Sequence, residues 1–259
     1  MDNLRLLLEI KKYDNRIQTL NSDLIIREVS FQIFVNRKRL VTISALPSDL
    51  QYLGTGFLFS EGLVKSRAEL TDYQIDLEEK YINFNLNIPA ERIDNFHSTG
   101  EKTSGCGMSL SAGLDEEEQK QFPEITLEAE PTLELMKEFI QSSSLFRETG
   151  GVHIAALVEN YKIKYFAEDI GRHNAVDKVI GMAVSDSVEL SNSILYCSGR
   201  ISSEIVKKAV RLHIPMIISK SAPTSEAIRL GWDYKVFIIG FARNQRMNIY
   251  TGFTDLEIK

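Results

Sequence analysis

The chain has 259 residues, 43% of them hydrophobic and 25% charged; this is close to the globular average and ample for a buried core, and it excludes disorder, collagen and coiled coil. A net charge of -6 argues against extended contact with DNA or RNA, whose binders carry a basic surplus to neutralise phosphates. No stretch approaches the roughly 18 apolar residues of a membrane span, and the Leu-rich start, Met1 to Lys12, has no basic n-region or cleavage site. Two cysteines, Cys106 and Cys197, are too few for a cysteine-based metal cluster and are expected as free thiols of a cytoplasmic protein.

In chain order, Ser30–Val35 and Leu40–Ile43 flank the polar Asn36–Arg39 and predict a hairpin. Pro47-Ser48-Asp49 reads as the start of a helix over Leu50–Glu61. Tyr81–Leu86 alternates as a strand. From His97 to Gly113 the composition shifts to Ser, Thr and Gly, which predicts an exposed, mobile loop, and the acidic Asp115–Glu118 and Glu124–Glu130 read as a solvated face. Pro131-Thr132 would cap a helix with Leu133, Met136 and Ile140 on one side. Val152–Val158 and Lys162–Phe166, separated by Glu159-Asn160-Tyr161, predict a second hairpin. Asn174 would cap a helix in which Val176, Val179, Ile180 and Ala183 recur with helical spacing. Strands at Ile194–Cys197, Met216–Ser219 and Lys235–Ile239 alternate with helices at Ser203–Leu212 and Pro223–Leu230, the latter ended by Gly231. That alternation predicts parallel strands with right-handed crossovers.

Each of these strands ends in a small-residue segment: Ser198–Ser203, Ser219–Ala222 and Gly240–Arg243. Ligands of open α/β sheets sit outside the carboxyl ends of the strands, and two of the segments lead into helix N-termini, which attract anions. Arg200, Lys220, Arg243 and Arg246, with hydroxyls from Ser202, Ser203, Ser221 and Thr224, would gather over one mouth suited to a phosphorylated ligand. Ordinary turns and caps explain each residue singly; the convergence of three basic segments favours a site. No Gly-x-x-x-x-Gly-Lys-Ser/Thr pattern occurs. Glu168–Asn174 is a second dense polar segment, readable as a tight turn with an Asp169–Arg172 pair or as a site containing His173. His153, within a β run, reads as a core histidine.

Cys197 ends an apolar strand and reads as a small buried hydrophobe. Cys106 lies between Gly105 and Gly107 in a polar loop, where free N–H groups would stabilise a thiolate able to take electrophilic sulfur.

The stretches Thr103–Gly107, Arg147–His153, Glu168–Lys178, Ser198–Glu204, Ser219–Ser225 and Gly240–Arg243 are together similar to the formate dehydrogenase accessory sulfurtransferases, the FdhD/NarQ family. The Glu168–Lys178 run is the specific one, and the likeness extends from about Phe57–Gly62 nearly to the C-terminus. The resemblance implies an α/β fold: a larger cytidine-deaminase-like domain with a mixed, partly parallel sheet over residues 131–259, and a smaller N-terminal α+β part over 1–130 that includes the Cys106 loop. It implies a sulfurtransferase that takes persulfide sulfur from a cysteine desulfurase and passes it to the molybdenum (or tungsten) bis-molybdopterin guanine dinucleotide cofactor needed by formate dehydrogenase. Its members tend to form homodimers. By the same resemblance Cys106 would be the persulfide cysteine, and Phe241, Ala242, Arg243, Asn244, Gln245 and Arg246 would help bind the guanine-nucleotide-containing cofactor. Arg200, Lys220 and Ser221 join them from the strand-end reading, and His173, with Asp169, from the Glu168–Asn174 segment as residues that would shape the site.

Two departures matter. The family's second loop cysteine is Ser109 here, so Cys106 would act without a resolving thiol. The deaminase zinc pattern of His-x-Glu with Cys-x-x-Cys is not met, since His153-Ile154-Ala155 stands alone, so zinc is not expected. Two other readings stay open: a non-catalytic cofactor-binding chaperone for formate dehydrogenase, and an enzyme that processes guanine nucleotides.

Overall fold

The computed structural model describes residues 4–98, 114 and 121–259. Its centre is a six-stranded sheet in the order β13-β12-β11-β10-β8-β9, with β8 at His153–Glu159, β9 at Lys162–Asp169, β10 at Ile194–Cys197, β11 at Met216–Ser219, β12 at Phe237–Arg243 and β13 at Arg246–Ile249. β10, β11 and β12 run parallel, as the strand-helix alternation predicts, while β8, β9 and β13 are antiparallel to their neighbours. The sheet is therefore mixed and the class is α/β.

Its strands are apolar on both faces because both are covered. Leu195, Cys197, Ile217 and Ile238 pack with helices α5 (Arg172–Ser185), α6 (Ser203–Arg211) and α7 (Ser225–Asp233). The alternate residues, Tyr196, Met216, Ile218 and Ile239, pack on the other face with α3 (Ala129–Ser142). Strands β7 (Ile125–Leu127) and β14 (Leu256–Ile258) pair in parallel beside that layer.

A four-stranded sheet, β4-β3-β6-β5, comprises β3 (Val29–Val35), β4 (Lys38–Ala45), β5 (Leu70–Asp76) and β6 (Tyr81–Leu86), with helix α1 (Leu50–Ser60) on it and α2 (Ala90–Ser98) following. α1 is buried on two sides. Gly54 lies so close to Phe84 that a Cβ would come within 2.4 Å of its ring, and Gly56 faces α5, where a Cβ would come within 1.7 Å of Asp177 O. On α5, a Cβ at Gly181 would come within 1.9 Å of Tyr52 O. The two helices cross backbone to backbone, and only glycine fits at the contact.

A separate ribbon of β1 (Arg5–Asp14) and β2 (Ile17–Ile26) precedes these layers. Its base meets α4 (Ser144–Thr149), through the Arg5–Glu148 ion pair, and Ile26 lies against Gly151. The β1–β2, β3–β4 and β8–β9 hairpins each turn on two left-handed residues led by asparagine: Asn15-Arg16, Asn36-Arg37 and Asn160-Tyr161. These are the type I′ turns that match strand twist.

The expected hairpins, the strand at Tyr81–Leu86 and the helix after Asp49 form where the sequence places them. Four local expectations are corrected. Asn174 lies inside the first turn of α5, whose N-cap is Gly171; its amide donates instead to Ser44 O and Asp169 Oδ1, both at 2.8 Å. Asp169 pairs not with Arg172 but with the fully buried Lys178, Nζ to Oδ2 2.8 Å. α3 begins before Pro131 and buries Thr132, Leu135, Met136 and Phe139 most deeply. α7 begins after Pro223 with Thr224 as N-cap, and Gly231 lies within it, because Pro223 instead forms a bridge with Ile201.

Candidate functional site

The three strand ends are joined by their backbones. Lys220 N–H donates to Cys197 O (3.2 Å), Ile201 N–H to Ala222 O (3.1 Å), Thr224 N–H to Ile201 O (2.9 Å) and Phe241 N–H to Ser221 O (3.1 Å). The Ser221 hydroxyl donates to Ser198 O (3.1 Å). Beneath them the buried Ser219 hydroxyl donates to Gly199 O (2.6 Å) and accepts from Ser221 N–H (3.0 Å). Two glycines allow this closeness. A Cβ at Gly240 would come within 2.9 Å of Pro223 and 3.0 Å of Ser221 O, and one at Gly199 within 3.1 Å of both Arg172 Cβ and His153 Nδ1. The edge therefore also receives His153 from β8 and Arg172 from α5.

Arg200, Arg243, Asn244, Gln245 and Arg246 are exposed along this edge. Arg243 and Arg246 face each other across the β12–β13 turn. The Arg243 guanidinium lies 5.5 Å from the Phe241 ring centroid, and Lys220 Nζ 5.5 Å from that of Phe146. Phe241 and Asn244 hold left-handed backbones, with φ of 53° and 57°, and the β12–β13 register is irregular between Gly240 and Arg243. Ala242 points into the core with no exposure, so only its backbone can meet a ligand.

His173 touches the first strand-end segment through Ser202. It lines a cavity of about 460 Å³ between β4, α1, α5 and α6, to which none of Arg200, Lys220, Ser221 or Phe241–Arg246 contributes. His173 Nε2 lies 3.2 Å from Ser202 Oγ and 3.9 Å from Glu204 Oε2, and the buried Nδ1 has no hydrogen-bond partner. Burial, reinforced by the positive Lys208 and Arg172, pushes its pKa down to about 3, so the imidazole is neutral near pH 7.

Beside it is a buried ion cluster absent from the sequence-based site. Lys208 Nζ donates to Ser60 Oγ (2.7 Å), Glu61 Oε1 (2.7 Å) and Asp177 Oδ1 (2.8 Å), and the Ser60 hydroxyl to Asp177 Oδ1 (2.6 Å). Burial acts against the Lys208 charge, but Asp177 and Glu61 outweigh it and raise its pKa. With one ammonium between two carboxylates, burial pushes Asp177 up to about 6 despite Lys208. One signal for this cluster is in the sequence: Lys208 falls on the apolar stripe of its helix, three residues after Ile205, where a lysine needs a buried acid.

Cys197 is buried against α5 and α6, and burial pushes its thiol up to about 12. Cys106 and Ser109 lie outside the described residues, as does the acidic run Asp115–Glu118. Among the described residues no three His, Cys, Asp or Glu side chains are grouped to hold a metal ion, and no helix is long and apolar enough to cross a membrane.

Comparison with known proteins places these residues in context. The FdhD/NarQ family matches residues 26–257. The chain is 37% identical over 248 residues to the sulfur carrier protein FdhD of Wolinella succinogenes, covering 94% of this chain and 87% of that one. It is 33% identical over 243 residues to the sulfur carrier protein FdhD of Shouchella clausii, covering 92% and 91%. A crystal structure of a Desulfotalea psychrophila protein, proposed there to be a formate dehydrogenase accessory protein, has the same fold. Its TM-score is 0.80 at 24% identity, over 98% of this chain and 99% of that one.

Proposed function

The chain belongs to the FdhD/NarQ family, and from that premise we propose that it is a cytoplasmic sulfur carrier in formate dehydrogenase maturation, loaded at Cys106 by a cysteine desulfurase. The observation that carries the assignment concerns the other thiol. A persulfide carrier must present a thiolate, the attacking species. Cys197 is held as a buried thiol with its pKa near 12, and the chain has only two cysteines, so the carrier role falls to Cys106. In loading, the Cys106 thiolate attacks the outer sulfur of the donor's persulfide; the new S–S bond forms as the donor thiolate leaves.

The acceptor in this reading is the molybdenum or tungsten bis-molybdopterin guanine dinucleotide, a substrate and cargo rather than a resident cofactor. Its pyrophosphates would be met by Arg200, Lys220, Arg243 and Arg246, with the exposed side-chain amides of Asn244 and Gln245 as further donors, while Ser221, whose N–H and hydroxyl are spent on Ser219 and Ser198, would shape the edge. The Phe241 ring, backed by the Arg243 guanidinium, offers a stacking face for guanine. His173, at the α5 N-terminus beside Ser202, would act as a neutral hydrogen-bonding group rather than a phosphate counter-ion. The mixed sheet with helices on both faces is compatible with the cytidine-deaminase-like arrangement that the resemblance implies.

The test is incubation with a cysteine desulfurase and cysteine, followed by intact-mass measurement. The wild type and C197A should each gain one sulfur atom and C106A none. No gain on the wild type, or equal gain on C106A, refutes the carrier role. If C106A also supports full formate dehydrogenase activity in cells, the non-catalytic chaperone reading, which Ser109 in place of a second thiol favours, replaces it.

A further inference from the structure

The cavity beside His173 has a charge opposite to that of the strand-end edge. Among the described residues, Glu28, Glu61, Asp177 and Glu204 line it, against the one lining cation Lys208. The three N–H groups of that ammonium are spent on Ser60, Glu61 and Asp177, so Lys208 has none left for Glu204 or Glu28. Glu28 stands at an exposed rim, and the Glu204 side chain is 14% exposed. Burial raises the Glu204 pKa, but hydrogen bonds from the Ser202 hydroxyl and its own N–H, with Arg172 nearby, outweigh it and hold the group below the usual carboxylate range. Glu204 is therefore ionised near pH 7.

Two features separate this place from a patch of surface acid. It is a concave volume of about 460 Å³ with an apolar share of its wall supplied by Val41, Ile43 and Phe57, which is the size and mixture of a small-molecule site. His173, 12% exposed, also lines it, and its Nδ1 has no hydrogen-bond partner among the described residues. Glu204, an acceptor only, lies 3.9 Å from His173 Nε2 and favours the proton on that nitrogen, which makes Nδ1 a further acceptor. The cavity thus offers acceptors and apolar surface, and its lining cation is already committed.

We propose that this cavity binds a primary ammonium carried on an apolar stem, the ammonium donating to Glu204 and the stem lying along Val41, Ile43 and Phe57. A cleft of one sign with low-dielectric walls concentrates counter-ions, and an ammonium brings three donors to a site made of acceptors. The same charge repels phosphate, so this cavity and the strand-end edge take different ligands although the segment Arg200–Glu204 serves both. A free amine or the lysine side chain of another protein can supply the group. The site is independent of the sulfur-carrier reading, and its test does not use activity.

The test is isothermal titration calorimetry of the full chain with n-pentylamine, and with 1-pentanol and pentanoate as neutral and anionic probes on the same stem. Circular dichroism verifies folding of each variant. Pentylamine should bind saturably, and the other two about tenfold more weakly or not at all. E204Q keeps the side-chain shape without the charge and should weaken pentylamine about tenfold. I43W should fill the cavity and abolish binding. E28K, a change at the exposed rim that leaves the fold intact, should weaken binding severalfold and keeps the test decisive if E204Q does not fold. Nα-acetyl-lysine N-methylamide identifies the source: binding like that of pentylamine assigns the cavity to a protein lysine, and binding of pentylamine alone assigns it to a free amine. No saturable binding of pentylamine below ~10 mM overturns the proposal. So does equal affinity for pentanol or pentanoate, and so does pentylamine binding that I43W and E28K leave unchanged, which would place it elsewhere.

Discussion

Replacing Lys208 by methionine tests the buried cluster that joins α1, α5 and α6. Methionine keeps the apolar stem but removes the ammonium that binds Ser60, Glu61 and Asp177, and both carboxyl groups remain buried at 2% exposure. Removing one partner from a buried ion pair costs about 3–5 kcal/mol, here a fall in Tm of about 10 °C for a chain of this size. The cost should depend on pH. Without Lys208 at least one of the two carboxyl groups folds protonated, so the folded variant binds a proton that its unfolded chain lacks above about pH 4. Folding then gains roughly 1.4 kcal/mol for each pH unit lowered, and most of the deficit should vanish between pH 7.5 and 5.5. The triple variant K208M/D177N/E61Q, with no buried charge to stabilise, should recover at least half of the loss at pH 7.5. Urea denaturation followed by circular dichroism at both pH values measures these differences. A K208M deficit under about 1 kcal/mol at pH 7.5, or one unchanged at pH 5.5, would show that the cluster is not a buried ion pair in solution.

His173 has the opposite sign of linkage. Its folded pKa is depressed to about 3, so between that value and its ordinary 6.5 the unfolded chain takes a proton that the folded chain refuses. The stability it contributes is present above pH 6.5 and is lost on acidification, about 2 kcal/mol between pH 7 and 5; H173Q should flatten that loss in a pH series of urea titrations, and an unchanged slope refutes the neutral imidazole. At the helix crossing, G181A forces a methyl group against Tyr52 O and should cost about 3 kcal/mol or more in the same urea assay, whereas an alanine tolerated there would mean that α1 and α5 are not in backbone contact.

The elements with one clear period were legible in the sequence. The three parallel strands, the two hairpins turned by Asn36-Arg37 and Asn160-Tyr161, and the α5 stripe of Val176, Val179, Ile180 and Ala183 all follow from apolar spacing. Helix starts were less legible because cap chemistry is ambiguous. Asn174 and Pro223 have the right residue types for a cap and an N1 position, but tertiary bonds to Ser44 and Ile201 claim them instead. The β1–β2 ribbon escaped notice because it lacks a one-sided alternation: Leu6 and Leu8 face one way, Leu7 and Tyr13 the other. At the site, the junction of Ser198, Ser221 and Phe241 follows from the rule that ligands gather at strand ends. The opening of His173 onto the cavity beside Lys208 does not, since local sequence cannot tell which way a side chain at a helix N-terminus will turn.

The contact at Gly56 and Gly181 has a mechanical consequence. Where helices meet through side chains, rotamers can exchange and one element can slide over another; here main chain rests on main chain, and no such lubricating layer lies between the small sheet's helix and α5. The joint behaves as a weld rather than a hinge. A protein that grips the four-stranded sheet would therefore pull directly on α5, and with it on Asp177 and His173, without slack.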